Sequence, residues 1–190
     1  LCELIRESRR GHRIILASAA PQPVSRHART PSLHSISEGL VATWSEFEAA
    51  APEMAAAGGA LLVPFKIVYL ATVRADGAPR VHPVSPFIIE GRLIVATPLT
   101  SPKARDQMRD GRYVMHALPG DEDFEFRLRG RSQLVEAGPL RTAILRDGPH
   151  FVHAEDRIFE YDIEQAATAH WVNVGQPGTY PVRRSWRAPR

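Results

Sequence analysis

Cysteine is almost absent: Cys2 stands alone among 190 residues. That excludes an internal disulfide framework, a cysteine-based zinc site and an iron–sulfur cluster, and makes a reducing, cytoplasmic setting the expectation. No apolar run approaches the ~18 residues of a membrane helix, so a membrane-spanning helix is excluded and no membrane partner is expected. Lysine is nearly missing too, with Lys66 and Lys103 against 22 arginines. Excess charge of one sign is confined to one end. The first 40 residues carry six Arg and three acids, whereas from residue 41 onward 18 basic and 18 acidic residues cancel. Despite a pI of about 9.4, a neutral body with interspersed signs offers no electrostatic footprint for nucleic acid. The apolar share of 44% and charged share of 24% are ordinary for a globular chain of one-domain length.

Residues 1–40 do not read like the rest. Arg9-Arg10, scattered Ser and His, and Pro21, Pro23 and Pro31 bury too little apolar surface to offset the entropy of ordering. Arg9-Arg10 ahead of Ile14–Ala20 has the outline of an export signal, but the apolar core is only about seven residues and does not follow the Arg pair directly. The expectation is a disordered extension over 1–40, a candidate for translation from upstream of the native start, and a folded domain over 41–190.

Within that domain, Thr43-Trp44-Ser45-Glu46 fits a capping box, and the Ala-rich run that follows predicts a helix interrupted at Pro52 and ended by Gly58-Gly59. Lys66–Arg74 reads as a strand, Ala75-Asp76-Gly77-Ala78 as a turn, Arg80–Ile89 as the returning strand and Arg92–Thr97 as a third, an antiparallel meander. A helix follows from Ser101 to about Asp110. Tyr113–Leu118 predicts a strand, as do the period-two alternations around Phe124–Leu128 and Phe159–Ile163 and the segment Tyr180–Trp186, with a short helix over Pro139–Arg146. About six or seven mostly antiparallel strands with two or three helices predict an α+β, mainly β, small barrel.

Ser101-Pro102-Lys103-Ala104-Arg105 is the most informative segment. Ser101 suits the N-cap and Pro102 the first helical position, which puts Lys103 and Arg105 in the first turn. Cations there oppose the helix macrodipole, a placement that makes sense if an anion sits at the helix start. The plainer alternative is a solvated helix start, or an ion pair between Lys103 and Asp106 one turn along. In the strand before it, alternation puts Arg80, His82 and Val84 on one face and Val81 and Ser85 on the other. Pro83 and Pro86 remove ladder donors, so this strand is expected to be bulged or at an edge. Taken alone, this strand reads better with Arg80 and His82 on a polar outer face.

The ordered set Asp76-Gly77-Ala78-Pro79-Arg80-Val81-His82-Pro83-Val84, Ser101-Pro102-Lys103-Ala104-Arg105, Asp110-Gly111-Arg112-Tyr113-Val114 and Phe126-Arg127-Leu128-Arg129-Gly130-Arg131 resembles the pyridoxamine 5′-phosphate oxidase-like split-barrel flavoproteins over roughly residues 43–187. The resemblance implies a six-stranded Greek-key split barrel that forms a homodimer and binds FMN near the dimer interface. It places cofactor contacts on Arg80, Val81, His82, Ser85, Ala96, Thr97, Ser101 and Lys103. Pyridoxamine phosphate oxidases carry Lys where this chain has Ser85, and Arg183, Arg184 and Arg187 match their basic substrate cluster only loosely, which argues against vitamin B6 oxidation.

The function this implies is FMN-dependent oxidation or reduction of a small-molecule substrate, with the flavin supplying the chemistry. The same fold admits a deazaflavin-dependent reductase, or a non-catalytic flavin- or haem-binding module in which His82, His116 or His170 serves the haem. No catalytic side chain is singled out, and no metal is expected. His150, His153, Glu155 and Asp156 superficially resemble metal-ligand spacing but read as a solvated loop.

Overall fold

A computed structural model describes residues 40–63, 66–119 and 123–189. All but the last residue of the expected extension, and with it the export-signal reading, lie outside the described residues.

Two helices open the described chain. The capping box holds at α1 (Trp44–Ala50): the Thr43 amide donates to Glu46 Oε2 at 2.7 Å and the Glu46 amide to Thr43 Oγ1 at 3.3 Å. Pro52 begins α2 (Pro52–Leu62), which runs through Gly58-Gly59 instead of ending there. The reason is packing. A Cβ at Gly58 would collide with the Phe126 ring, so the glycine that weakens the helix by about 1 kcal/mol lets α2 lie directly on the sheet.

Among the described residues eight strands form one antiparallel sheet: β1 (Val68–Val73), β2 (Pro79–Val84), β3 (Phe87–Ile89), β4 (Arg92–Thr97), β5 (Arg112–Ala117), β6 (Phe124–Leu134), β7 (Arg157–Val172) and β8 (Tyr180–Arg187). Helix α3 (Pro102–Arg109) joins β4 to β5, and α4 (Pro139–Asp147) joins β6 to β7. The expected returning strand is broken at Ser85-Pro86. Its first half, β2, pairs with β1, and its second half, β3, pairs with β4. These halves occupy the two ends of the strand path β2-β1-β5-β6-β7-β4-β3, while β8 adds to β7. Treated as one bent strand, β2 and β3 make a six-staved barrel split at Ser85-Pro86. The fold is the α+β split barrel with flanking helices.

Pro83 and Pro86 therefore sit where the missing amides cost least, Pro83 on a strand half that pairs on one side only and Pro86 in the break itself. Tight turns close the hairpins, with Gly77 at φ +83° and Gly91 at φ +70° adopting the left-handed conformation that side chains resist. Core residues come from the inward face. Leu70, Leu93, Met115, Leu128, Phe159 and Tyr161 are almost fully buried, and Phe47 of α1 stacks on Phe126 and packs against Trp186 of β8.

Candidate functional site

Helix α3 organises the candidate site because it is anchored on one side and open on the other. Ala104, Asp106 and Gln107 are buried, and Gln107 accepts a hydrogen bond from the buried Tyr161 hydroxyl. Asp106, 4% exposed, collects three donors. Arg80 Nε reaches its Oδ2 at 2.6 Å, Thr72 Oγ1 the same oxygen at 3.2 Å, and Arg109 Nη2 its Oδ1 at 3.3 Å. Burial alone would raise the Asp106 carboxyl. The bonds from Arg80 and Arg109, with the Arg80 charge and the Thr72 hydroxyl, outweigh it and hold the group below the ordinary carboxylate range.

Lys103, one turn earlier, is treated differently. Its amine makes one hydrogen bond, to Ser101 Oγ at 3.3 Å, and has no carboxylate within ion-pair distance among the described residues. The expected alternative of a Lys103–Asp106 pair is thus replaced by Arg80–Asp106. Ser101 does hold the N-cap position, but its side chain makes no capping bond, since its hydroxyl turns to Lys103. Half-burial pushes the Lys103 amine below its ordinary range.

Two orphaned polar atoms accompany it. His82 Nε2 on β2 and Thr97 Oγ1 at the end of β4 are buried with no hydrogen-bond partner among the described residues. Such atoms are rare in native interiors and cost about 1–3 kcal/mol each when left unsatisfied. Burial, then the nearby Lys103 and Arg80 charges, lower the His82 imidazole and favour its neutral form.

The structure distributes the eight expected contact residues unevenly. Ser85, Ala96 and Lys103 line one cleft of about 500 Å³. Arg80 lines a second, smaller recess of about 300 Å³ with Arg74, Arg105 and Arg109, on the Asp106 side of α3. Val81 faces away, 59% exposed, with Tyr69 and Val114 on the same outer surface. The alternation that set Arg80, His82 and Val84 apart from Val81 is observed.

The sequence reading missed the far wall of the larger cleft, where Phe151, His153 and Asp156 face Lys103 across it. Asp156 is buried and accepts a bond from the His153 amide at 3.0 Å, so this segment is not the fully solvated loop expected. No local signal connects it to α3. The two meet because β4 pairs with the start of β7. Among the described residues no group of three His, Cys, Asp or Glu is placed to hold a metal.

A phosphate-bearing group fits these residues: Lys103 lines the cleft with no carboxylate partner among the described residues, the Ser101 hydroxyl beside it makes no capping bond, and the Lys103 amide is the first-turn donor left over, since Pro102 has no N–H and the Ala104 amide donates to the Ser101 carbonyl. Neither a family model nor a curated protein matches the chain. Solved structures do. A heme binding protein from Mycobacterium smegmatis is 17% identical with a TM-score of 0.52, the match covering 70% of this chain and 58% of that one. The chain thus spans less than two thirds of that protein's length. A protein related to general stress protein 26 of B. subtilis, described as of the pyridoxinephosphate oxidase family and from Clostridium acetobutylicum, is 11% identical with a TM-score of 0.52, covering 75% of this chain and 95% of that one. At such identities the likeness speaks to architecture, and the architecture of this chain is that of the pyridoxamine 5′-phosphate oxidase-like split barrels.

Proposed function

We propose that the chain binds FMN beside Lys103 and serves, as a homodimer, as a flavin-dependent oxidoreductase for a small molecule. The observation that carries this reading is Lys103, a half-buried amine that lines a cleft of about 500 Å³ with no carboxylate partner among the described residues. A phosphate in that cleft supplies the missing counter-charge. In this reading Lys103, its amide and Ser101 hold the phosphate, and Thr97 and neutral His82, chain neighbours of the lining residues Ala96, Pro98 and Pro83, turn their unpartnered atoms to the ribityl chain or ring. The flavin, when bound, supplies two-electron redox chemistry. The residues of the chain bind it, orient it and exclude water.

The homodimer is supported by the outer face of β2, β1 and β5. Val81, Ala71 and Val114 form one row across these strands, flanked by Pro83 and Tyr69, and Val81, Tyr69 and Val114 leave 59%, 47% and 37% of their surface exposed. A contiguous apolar face of this kind suits burial against a second copy.

A second reading, haem binding, has one supporting observation on this chain: neutral His82 with a free Nε2 is the form an imidazole must take to ligate iron. Visible spectra of the purified protein titrated separately with FMN, the deazaflavin coenzyme and haemin decide between them. A perturbed two-band flavin spectrum with saturable affinity supports the first reading. A deazaflavin band moves the proposal to that coenzyme, an intense Soret band to haem, and failure to bind any of the three overturns it.

A further inference from the structure

We propose that a second cleft, formed where α2 stops covering the sheet, binds a carboxylic acid with an apolar body. The argument starts from three rows of residues across β6, β7 and β8 that share the inward face. Leu128, Ala166 and Trp186 form the innermost row, Phe126, Thr168 and Arg184 the next, and Phe124, His170 and Val182 the outermost. The innermost row lies in the core, with Trp186 against Phe47. Beyond it the face meets solvent, where Thr168 is buried and His170 and Arg184 are exposed, so a buried hydroxyl lies beside a charged rim.

The opposite wall is the first two turns of α2. Ala51, Pro52, Met54 and Ala57 face Phe124 and Val182 across a space of about 630 Å³, within the range of small-molecule sites. Ala51 caps α2 and supplies no side-chain cap bond, Pro52 has no N–H and the Ala55 amide donates to the Ala51 carbonyl, which leaves the amides of Glu53 and Met54, two residues that line the cleft. Thr168 is 9% exposed and lines the cleft, and its hydroxyl makes no side-chain hydrogen bond among the described residues. Arg184 has Glu53 as its partner at 3.7 Å, with both side chains largely exposed. An exposed pair at that distance is weak, and a ligand carboxylate that also reaches Thr168 and the helix amides competes with it. The apolar body of the ligand then lies on Met54, Phe124 and Val182. This cleft and the Lys103 cleft belong to the two ends of β7, one beside Thr168 and His170, the other beside Asp156.

The test uses the full chain with 4-phenylbutyrate and its neutral counterpart 4-phenylbutan-1-ol, each measured by titration calorimetry. The acid is expected to bind more tightly than the alcohol. Arg184→Gln should weaken the acid about tenfold, the loss of one charge-assisted contact, and leave the alcohol unchanged. Ala57→Trp, at an exposed helix position, should block both with the helical circular dichroism intact. Lys103→Ala should change neither, which separates this cleft from the cofactor cleft. Equal affinity for acid and alcohol, indifference to Ala57→Trp, sensitivity to Lys103→Ala, or no binding of either probe overturns the proposal.

Discussion

Lys103 and Asp106 lie one turn apart on α3, yet the polar groups around them are partnered in opposite ways. Around Asp106, Arg80, Arg109 and Thr72 converge on two carboxylate oxygens, and the charge is buried and compensated. Among the described residues the Lys103 cation meets a hydroxyl and no carboxylate, while His82 on β2 and Thr97 on β4 present buried atoms with no partner. A saturated network fixes the position of a helix on a sheet. An unsaturated one costs stability in the isolated chain and persists where a ligand completes it. The same helix thus carries a side whose charge is compensated within the chain and a side whose charge is not, and burial alone does not tell them apart.

The largest effect separating the two sides is expected at Asp106. Asp106→Ala leaves Arg80 without its carboxylate and should lower stability by about 3 kcal/mol, the low end for breaking a buried pair, read as a shifted midpoint in urea or heat. A linked pH dependence sharpens it. Because the folded-state pKa of Asp106 is held below its unfolded value, its stabilisation is complete above pH ~4 and is lost as pH falls through the folded value. Wild type should therefore lose stability below pH ~4 more steeply than Asp106→Asn, and parallel curves would break the assignment.

Lys103→Ala is expected to act on binding instead. Loss of one charge-assisted contact weakens FMN by about 1.5–3 kcal/mol, or roughly 10- to 100-fold, while the apo protein melts at the same or a slightly higher temperature. A much lower apo melting point would place Lys103 with Asp106 on the structural side. Thr97→Val gives the smallest change and the most specific one. Replacing an unsatisfied buried hydroxyl by a methyl of equal size should stabilise the apo chain by about 1 kcal/mol and weaken FMN a few-fold. Calorimetric melts with and without FMN check both halves, and a destabilised apo variant would show that the hydroxyl is satisfied after all.

Much of the fold was legible because its signals are local. The Thr43–Glu46 capping box, the Asp76-Gly77 turn, the alternation over Phe124–Leu128 and the helix start at Ser101 each depend on neighbours within about four residues. The end of α2 was not legible, since Gly58 is tolerated for the sake of the Phe126 ring, nearly 70 residues away in the chain. Nor was the break at Ser85-Pro86, where two prolines announced an irregular strand without saying that its halves would pair at opposite ends of the sheet path. At the site, Lys103 and His82 were visible from charge placement and strand alternation. Asp156, His153 and Phe151 were not, because they reach the cleft through the β4–β7 pairing.

By itself the sequence determined the strand and helix inventory in outline, the inward face at Phe124–Leu128 and Phe159–Ile163, and the conflict between two cations and the positive end of α3. These follow from backbone sterics, side-chain period and the helix dipole, all short-range. The tertiary structure decided which cation is paired with a carboxylate of the chain and which is not. Arg80 and Lys103 look alike along the chain, and only the folded arrangement brings the Asp106 carboxylate to the first and withholds any carboxylate from the second.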